Sequence, residues 1–271
     1  MAFARTPFSR LMTPILVFDI ETIPDVAGIR RLDDLPATMS DAEVAEHAFA
    51  ARREKTGSDF LPHHLQRIAA ISCVFRDNNG FRVRSLGTLE DGEAALVQSF
   101  YRVIEKYTPQ LVSWNGGGFD LPVLHYRSLQ AQLQAPRYWE TGEEDSSFRY
   151  NNYLSRFHWR HLDLMDVLAG FQGRARASLA DVAALLGFPG KLGFSGDKVW
   201  DTYLAGGLAQ VRHYCETDVL NTFLIYLRFQ FLRGRLDRAA LDAELEQVRA
   251  LLRGSSEVHH AEFLNAWEAL S

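Results

Sequence analysis

The sequence predicts a single α/β domain with appended C-terminal helices, and three observations support this prediction. Short apolar runs alternate along the chain with segments whose apolar residues recur at helical spacing. The pair Asn79-Gly80 separates two strand-like runs and favours a tight hairpin. Residues 208–232 contain neither Gly nor Pro and keep helical spacing throughout. With 271 residues, 47% of them hydrophobic, the chain can bury a sizeable core.

The first predicted strand lies in the run PILVFDIETIPD, residues 14–25. Four aliphatic or aromatic residues are followed by Asp19 and Glu21, which the alternation of a continuing strand places on one face. Two like charges side by side repel each other. A strand end that enters solvent is the ordinary explanation for such a pair, so this run by itself leaves the purpose of the two carboxylates open.

The following segments alternate between helix and strand. Ser40 and Glu43 have the spacing of a capping box, and Gly57 marks the end of that charged helix. The runs on either side of Asn79-Gly80, residues 67–75 and 81–89, are predicted as antiparallel strands. A buried strand is predicted over 109–115, and further helices over 90–107, 119–133, 178–187, 208–232, 237–252 and 256–270.

Three segments are less regular. Residues 134–157 show no clean period and are predicted as an irregular excursion. Residues 160–168 fit either a fifth strand or a short helix. Residues 187–200 carry a glycine at every third position up to Gly196, which predicts a mobile loop rich in turns.

Composition and charge limit the partners that the chain could have. The net charge of −5 offers no basic field for nucleic acid or an anionic membrane, although metal-binding carboxylates would add negative charge that cations neutralise. Cys73 and Cys215 lack metal-type spacing and are predicted to be reduced core thiols. The N-terminal stretch with Arg5 and Arg10 has too short an apolar run for a signal peptide or a membrane span, so we expect a cytoplasmic protein with no membrane partner.

Two later stretches also carry acidic residues, one at the start of a predicted helix and one within a predicted helix. In VSWNGGGFDLPVL a strand ends at Asn115, three glycines follow, and Asp120 starts a helix. In HYCETDVLNT, Tyr214 and Asp218 are four residues apart and share a helical face. A helix cap explains the first stretch taken alone, and a polar surface explains the second.

Taken together, the three stretches resemble the motifs of the DnaQ-like (DEDD) 3′–5′ exonucleases. These motifs are Asp-x-Glu on a first strand, Asn with Phe-Asp after a later strand, and Tyr-x-x-x-Asp on a late helix, and the order in this chain is the same. The nearest likeness is to the family related to the proofreading exonuclease domain of family B DNA polymerases. The resemblance runs from about Ile15 to about Phe231, and the helices over about 234–271 lie outside it.

The resemblance implies a ribonuclease H-like fold, in which helices flank a mixed central sheet. It also implies that Asp19, Glu21, Asp120 and Asp218 hold two Mg²⁺ or Mn²⁺ ions and that Asp19 bridges them. Two divalent ions would turn the repulsion between carboxylates into attraction and would clamp the attacking and leaving oxygens of a phosphodiester. Oxygen ligands suit both ions.

The residue that serves the attacking water is either Tyr214 or His213, because the family divides into members with Tyr four residues before the last Asp and members with His five residues before it. In a continuous helix Tyr214 lies about 40° around the axis from Asp218, whereas His213 lies about 140° away. The sequence therefore favours Tyr214, on condition that the helix is already continuous at His213.

Substrate contacts are expected near these motifs, at Thr22, Asn115, Gly116, Gly117, Phe119, Lys191 and Lys198. The three glycines would leave backbone space for a bulky group to approach. The two lysines could hold phosphates while Phe188, Phe194 and Trp200 stack on bases, but a solvated loop anchored by its aromatic residues explains them equally well.

Several other polar or aromatic groups are predicted to have no chemical role. Asp163 and Asp166 are expected to be caps or exposed charges, and Trp114 to belong to the core. Adjacent side chains diverge on a helix or strand, so neither His63-His64 nor His259-His260 is expected to chelate an ion, and both pairs are expected to be solvated. The cluster Arg52, Arg53 and Lys55 is expected to be a solvated face.

The sequence thus predicts a metal-dependent exonuclease acting on 3′ ends, with DNA favoured over RNA and with a DNA polymerase or repair protein on another chain as a possible partner. One alternative is a non-catalytic nucleic-acid-binding or scaffold domain of the same fold, which would have no physical need for clustered charges. Another is an RNA-trimming nuclease or an internal cutter that uses the same chemistry.

Overall fold

A computed structural model describes residues 13–270 of the chain. Its centre is a five-stranded sheet with the strand order β3-β2-β1-β4-β5. The strands are β1 (Ile15–Pro24), β2 (Gln66–Asp77), β3 (Gly80–Ser85), β4 (Gln110–Ser113) and β5 (His161–Asp163). Strand β1 pairs antiparallel with β2 and parallel with β4, so the sheet is mixed, as the resemblance implied. The N-terminal stretch through residue 12, discussed above as a possible signal peptide, lies outside the described residues.

Helices surround this sheet. They are α1 (Val26–Leu32), α2 (Asp41–Thr56), α3 (Glu93–Tyr107), α4 (Asp120–Gln130), α5 (Pro136–Trp139), α6 (Leu164–Leu168), α7 (Leu179–Leu185), α8 (Val199–Leu204), α9 (Leu208–Leu232), α10 (Arg238–Arg253) and α11 (Val258–Glu268). None of the helices within residues 13–270 is both long and apolar enough to cross a lipid bilayer.

The elements with strong end signals form where the sequence predicts them. Ser40 and Glu43 form the reciprocal bonds of a capping box at the start of α2, and Gly57 ends that helix with φ +76°. The turn at Asn79-Gly80 joins β2 to β3 as an antiparallel hairpin. Helix α9 spans the predicted residues, Leu208–Leu232, which contain neither Gly nor Pro.

Short elements differ from the prediction. Residues 160–168, predicted as a strand or a helix, form both, because Asp163 ends β5 and caps α6. The segment predicted as a loop over residues 187–200 ends in the first turn of α8, whose Val199 is buried. Helix α1 was not predicted; it is seven residues long and begins at the cap Asp25. Elements of this length show too few periods for a pattern to appear.

The two faces of β1 pack into two different cores. Ile15 and Val17 belong to the core beneath α9, whereas Leu16, Phe18 and Ile20 belong to the core beneath α3 and α4. This division follows from the alternation of side chains along a strand. The core beneath α9 also contains apolar residues of α10 and α11 such as Leu241, Val248, Phe263 and Trp267. The C-terminal helices therefore complete the main core.

Buried ion pairs connect distant parts of the chain. The Arg127 guanidinium on α4 donates to both oxygens of Glu93 at 2.6 and 2.7 Å and to Asp25 at 2.5 Å. The Arg76 guanidinium on β2 donates to both oxygens of Glu244 on α10, at 2.7 and 2.9 Å. The first group of contacts fixes α1 and α3 against α4, and the second fixes α10 against the sheet, because a buried charge deprived of its partner is costly.

Candidate active site

Asp19 and Glu21 project from the central strand toward α9. Their carboxylates and the Cys215 thiol of α9 lie within 4.8 Å of one another. The thiol donates to the Asp19 main-chain oxygen at 3.4 Å and lies 3.5 Å from its Oδ2. The pairing of β1 with β2 shifts by one residue between Glu21 and Thr22, so the bulge lies directly beside the second carboxylate. Bulges of this kind bend a strand and redirect the side chains next to them.

The third carboxylate belongs to Asp120, the first residue of α4. It is buried, and its Oδ1 accepts a hydrogen bond from the main-chain N–H of Ile20 at 3.1 Å. Ile20 lies between Asp19 and Glu21, so this bond fixes α4 against the acidic part of β1. The charge of Asp120 acts on both of those carboxylates.

Helix α9 supplies the fourth carboxylate, Asp218, and the Tyr214 side chain one turn earlier. The Tyr214 hydroxyl lies close enough to the Asp218 carboxylate to influence its pKa, and Asp218 acts electrostatically on Asp19 and Glu21. The four predicted carboxylates and Tyr214 are thus brought together from β1, α4 and α9.

His213 lies on a different side of α9. Its ring stacks on that of His259 from α11, with centroids 4.1 Å apart and planes 12° from parallel. The charged groups that influence its pKa are Glu216, Glu257 and the two histidines of α11, none of which belongs to the carboxylate cluster. Because α9 begins at Leu208, the helix is already continuous at His213, and the condition attached to the choice of Tyr214 is met.

The environment of the cluster raises the pKa of every carboxylate in it. Burial is the main cause, and it lifts the pKa of Asp120 to about 7 and that of Asp218 to about 6. Burial and the neighbouring negative charges hold the pKa values of Asp19 and Glu21 well above their ordinary range. Four such groups cannot all be ionised near neutral pH unless cations compensate their charge.

Two of the three glycines in the turn from β4 to α4 are required by the packing of neighbouring side chains. Asn115 has φ +64°. A Cβ at Gly116 would lie 2.3 Å from the Ser113 hydroxyl oxygen, and one at Gly118 would lie 2.5 Å from Asn115 Oδ1. Gly116 is buried, whereas Gly117 and Gly118 are exposed. The space beside the first and third glycines is therefore occupied by neighbouring side chains, and only the exposed part of the turn is open to another molecule.

Asp163, at the end of β5, holds this turn in place. Its two carboxylate oxygens accept from the main-chain N–H groups of Asn115 at 3.0 Å and Gly117 at 2.9 Å. It also caps α6. The expected role as a cap is confirmed, and the support of the glycine turn is an additional role that no local sequence signal indicates. Asp166 is also structural; it is buried and forms ion pairs with Arg156 and Arg176.

Aromatic side chains lie beside the glycine turn. The Phe119 ring lies 5.4 Å from that of Phe60 and 5.6 Å from that of His63. His63 Nε2 is also 2.9 Å from the Gly118 carbonyl oxygen. The expectation that His63 and His64 are both solvated is therefore correct only for His64, which is exposed; His63 is half-buried because it packs on the turn.

The loop before α8 is attached to α9 by Asn221, a fully buried residue that sequence analysis did not single out. Its side-chain amide donates to the Gly190 carbonyl oxygen at 2.9 Å and accepts from the Gly190 N–H at 3.1 Å. Gly190 has φ +62°, a conformation that favours glycine. Asn221 lies three residues after Asp218, so the loop is attached close to the carboxylates.

The predicted substrate contacts in this loop have different surroundings. Lys191 acts on Asp218 and lowers its pKa, so its charge lies near the carboxylates. Lys198 instead donates to the Gly193 carbonyl oxygen at 3.3 Å. The Phe194 ring packs on Tyr214 at 4.9 Å, whereas Phe188 is part of the core.

Two further expectations concern Thr22 and the second histidine pair. The Thr22 hydroxyl donates to Gln66 Oε1 at 2.9 Å, so its proton is already engaged. The prediction that His259 and His260 are solvated is wrong, since both are buried against Glu216 of α9. They lie in the first turn of α11, where both imidazoles reach the same carboxylate. Trp114 packs against the core, as predicted.

The mixed sheet, its flanking helices and the acidic groups on β1 and at the start of α4 define a ribonuclease H-like α/β protein. Residues 58–267 match the family described as "Predicted 3'-5' exonuclease related to the exonuclease domain of PolB". The chain belongs to this family, which confirms the resemblance. The match begins after β1, and it includes α10 and most of α11, whereas sequence analysis ended the resemblance at Phe231.

Among solved structures, the chain is similar to the family B DNA polymerase of the hyperthermophilic archaeon Pyrobaculum calidifontis. The identity is 15% and the TM-score 0.46, and the similarity covers 80% of this chain and 25% of the polymerase chain. The chain thus spans about a quarter of the length of that polymerase. No curated protein matches the chain.

Proposed function

We propose that this protein is a metal-dependent 3′–5′ exonuclease that hydrolyses terminal phosphodiester bonds of nucleic acid, with single-stranded DNA ends as the preferred substrate. The observation that carries the proposal is the convergence of Asp19, Glu21, Asp120 and Asp218, whose pKa values are all raised. Repulsion among the four carboxylates destabilises the folded protein, and a cluster of this kind is therefore typical of a functional site.

The donor set fits Mg²⁺ or Mn²⁺. Carboxylate oxygens are hard ligands, which suit these ions better than zinc. The one sulfur nearby is that of Cys215, and burial and the neighbouring carboxylates raise the pKa of its thiol well above the ordinary value. The thiol therefore keeps its proton as a donor to Asp19. Two divalent ions bound here would supply an activated water and stabilise the leaving 3′ oxygen.

Tyr214 has the position and the protonation state to orient the attacking water. Burial and the charges of Asp218, Glu21 and Asp19 raise the pKa of its hydroxyl. The hydroxyl thus keeps its proton at neutral pH, and it acts by hydrogen bonding rather than as a base. Its contact with Phe194 holds the ring in place.

The exposed surface beside the carboxylates suits the end of a nucleic-acid strand. The Phe119 and Phe60 rings offer faces on which terminal bases can stack, and base-aromatic stacking is tolerant of sequence. The exposed turn at Gly117 and the charge of Lys191 would accept the phosphates. We assign Thr22, Asn115 and Lys198 more peripheral contacts. Because the family is related to a polymerase exonuclease domain, we propose a polymerase or repair protein on another chain as the source of the 3′ ends.

The test compares the wild-type protein with Asp19→Asn and with a control, Glu54→Gln, which removes an exposed carboxylate of α2. Each is incubated with end-labelled single-stranded DNA, duplex DNA and RNA, in Mg²⁺, in Mn²⁺ and in a chelator. We expect release of mononucleotides by the wild type and the control only with metal, and nearly complete loss in Asp19→Asn. Cleavage by Asp19→Asn at the wild-type rate would refute the metal assignment.

Circular and linear single strands of the same sequence test the direction of attack. An exonuclease degrades only the linear form, so equal degradation of both would show internal cutting. Binding of DNA without cleavage in either metal would favour a non-catalytic domain, and faster cleavage of RNA would favour a trimming nuclease.

A further inference from the structure

We propose that Glu216, His259 and His260 form a second metal site, which takes an ion of the Zn²⁺ class and joins α11 to α9. The site is separate from the carboxylate cluster. Glu216 precedes Asp218 by two residues on α9, which corresponds to a rotation of about 200° around the helix axis. The ion at this site would therefore stabilise the contact between helices and take no part in hydrolysis.

The geometry of the three side chains suits a small ion. Glu216 Oε2 lies 2.9 Å from His259 Nε2 and 3.3 Å from His260 Nε2. All three ligand atoms lie within 4.8 Å of one another. Ligands of a tetrahedral ion with bonds near 2.0–2.1 Å are about 3.4 Å apart, so small movements would place all three around one ion. Imidazole nitrogens favour zinc over magnesium.

Two buried ring nitrogens at this place lack hydrogen-bond partners. His259 is 7% and His260 4% exposed, yet His259 Nδ1 and His260 Nε2 have no hydrogen bond. His260 Nδ1 is 2.8 Å from the Ser255 hydroxyl oxygen. When Nδ1 donates its proton to Ser255, the lone pair of Nε2 faces the Glu216 carboxylate. Two electron-rich atoms at 3.3 Å repel each other unless a cation lies between them.

The groups behind the ligands hold them in the orientation that binding requires. Glu216 Oε1 accepts from the Ser85 N–H at 2.6 Å and from its hydroxyl at 2.7 Å. These bonds leave Oε2 for the two histidines. Ser255 plays the same part for His260. Metal-binding carboxylates and histidines are commonly fixed by outer partners of this kind, and removal of such a partner weakens binding about 10–100-fold.

A further ligand position is available on the open side of the site. A cavity of about 370 Å³ borders the three ligands together with His213 and Glu257. Atoms of His213, Glu257 and His259 also lie within 4.8 Å of one another. Water or Glu257 can therefore complete the coordination, and the cavity gives the ion a path from solvent.

The experiment measures binding of Zn²⁺ to the untagged full-length protein by titration calorimetry, with the absorption spectrum of bound Co²⁺ as a second readout. The variants are His260→Gln and Ser255→Ala. The controls are His64→Gln, which removes an exposed histidine, and Asp19→Asn, which disables the carboxylate cluster. Circular dichroism verifies the fold of each protein.

We expect one Zn²⁺ per wild-type chain, retained in both controls, weakened about 10–100-fold in Ser255→Ala and lost in His260→Gln. A wild-type protein that binds no Zn²⁺ at micromolar concentration would overturn the proposal, as would binding that is lost in Asp19→Asn but unchanged in Ser255→Ala. If His260→Gln fails to fold, the wild type and Ser255→Ala still decide the matter, since Ser255 is not a ligand.

Discussion

Tyr214 and His213 are adjacent in the chain but face different surroundings, and their roles can be separated by substitution. Tyr214→Phe keeps the ring and its packing on Phe194 while it removes the hydroxyl that interacts with Asp218. We expect the single-turnover rate at saturating metal to fall about 10²–10⁴-fold, the usual contribution of a group that orients or transfers protons. The stability of the protein should change little.

His213→Ala is the matched variant for this prediction. It removes a ring that stacks on His259 and lies away from the carboxylates, so the rate should remain within a few-fold of the wild type. A large loss in His213→Ala beside a nearly normal rate in Tyr214→Phe would reverse the assignment.

Asp120 makes the stability of the metal-free protein depend on pH. Burial raises its pKa from 3.8 to about 7. A carboxyl whose pKa is raised by folding contributes stability at low pH, and this contribution disappears as pH rises through the folded-state pKa. Asp120→Asn cannot ionise but keeps Oδ1 as the acceptor for the Ile20 N–H. In chelator, its melting temperature should exceed that of the wild type by an amount that grows from pH 5 to pH 8, where it is about 2 °C or more.

Mg²⁺ provides the control for the Asp120 prediction. An ion bound at the proposed site would compensate the same charges, so at pH 8 Mg²⁺ should stabilise the wild type more than Asp120→Asn. Melting curves measured by circular dichroism give both comparisons. An advantage of Asp120→Asn that is independent of pH would show that the carboxyl is not the source of the effect.

For single residues, the sequence indicates those that belong to motifs. It does not indicate the residues that hold the motif segments in place. Asp19, Glu21, Asp120 and Asp218 stand in a recognisable order. Asp163 and Asn221, by contrast, act on main-chain groups 31 to 48 residues away, and no local pattern encodes such contacts. The burial of His259 and His260 likewise depends on the docking of α11.

Among the elements, the loop between α7 and α8 depends on one side chain. Asn221→Ala removes the only side-chain bonds to Gly190 that the described residues show, and unpaired main-chain groups cost about 1–3 kcal/mol each when buried. We expect a lower melting temperature and, because Lys191 follows Gly190, a KM for DNA that rises several-fold while kcat falls less. Steady-state kinetics with single-stranded DNA test this.

Asn152→Ala is a suitable control for Asn221→Ala. Asn152 is also buried, and its side chain also accepts hydrogen bonds from main-chain N–H groups. These donors are Leu154 and Ser155, so the bonds do not involve α9. It should lower stability without a change in KM. An unchanged KM in Asn221→Ala would show that the loop is not part of the substrate surface.

The predictability of elements follows their length and their end signals. Helix α2 has a capping box and a left-handed glycine at its end, and α9 repeats its pattern for 25 residues. Strand β5 and helix α6 together occupy eight residues, and their boundary depends on Asp163, which also bonds to the glycine turn. Tertiary contacts, rather than local propensity, determine such short elements.

For the molecule as a whole, Arg127 links three segments through one buried guanidinium. Arg127→Met keeps much of the side-chain volume but leaves Asp25 and Glu93 without their cation. Breaking a buried pair in this way typically costs about 3–5 kcal/mol. Chemical denaturation should therefore show a loss of that size, with Arg102→Met on the exposed face of α3 as the control.

Arg127→Met with Glu93→Gln checks the cause of that loss. If uncompensated charge is responsible, the double variant should recover part of the stability lost by Arg127→Met. A loss no larger than that of Arg102→Met would show that the network contributes little.

The mixed character of the sheet was predictable from the sequence only through the resemblance to a family. Local patterns indicated the β2–β3 hairpin, but nothing local specifies that β1 lies between β2 and β4. The participation of α10 and α11 in the main core was also not evident. The sequence pattern of an apolar helix face is the same whether the face packs on α9 or on another protein.

Helix α2 has its own small core, and this has a consequence for hydrogen exchange. Val44 and Ala48 pack with Ile29 and Leu61 in a cluster that is separate from the cores on either side of the sheet. Such a unit can open while the remainder stays closed, so its amide protons exchange earlier than those of α9. Mass-spectrometric exchange would therefore detect two protected populations, and DNA bound near Phe60 would slow the faster one.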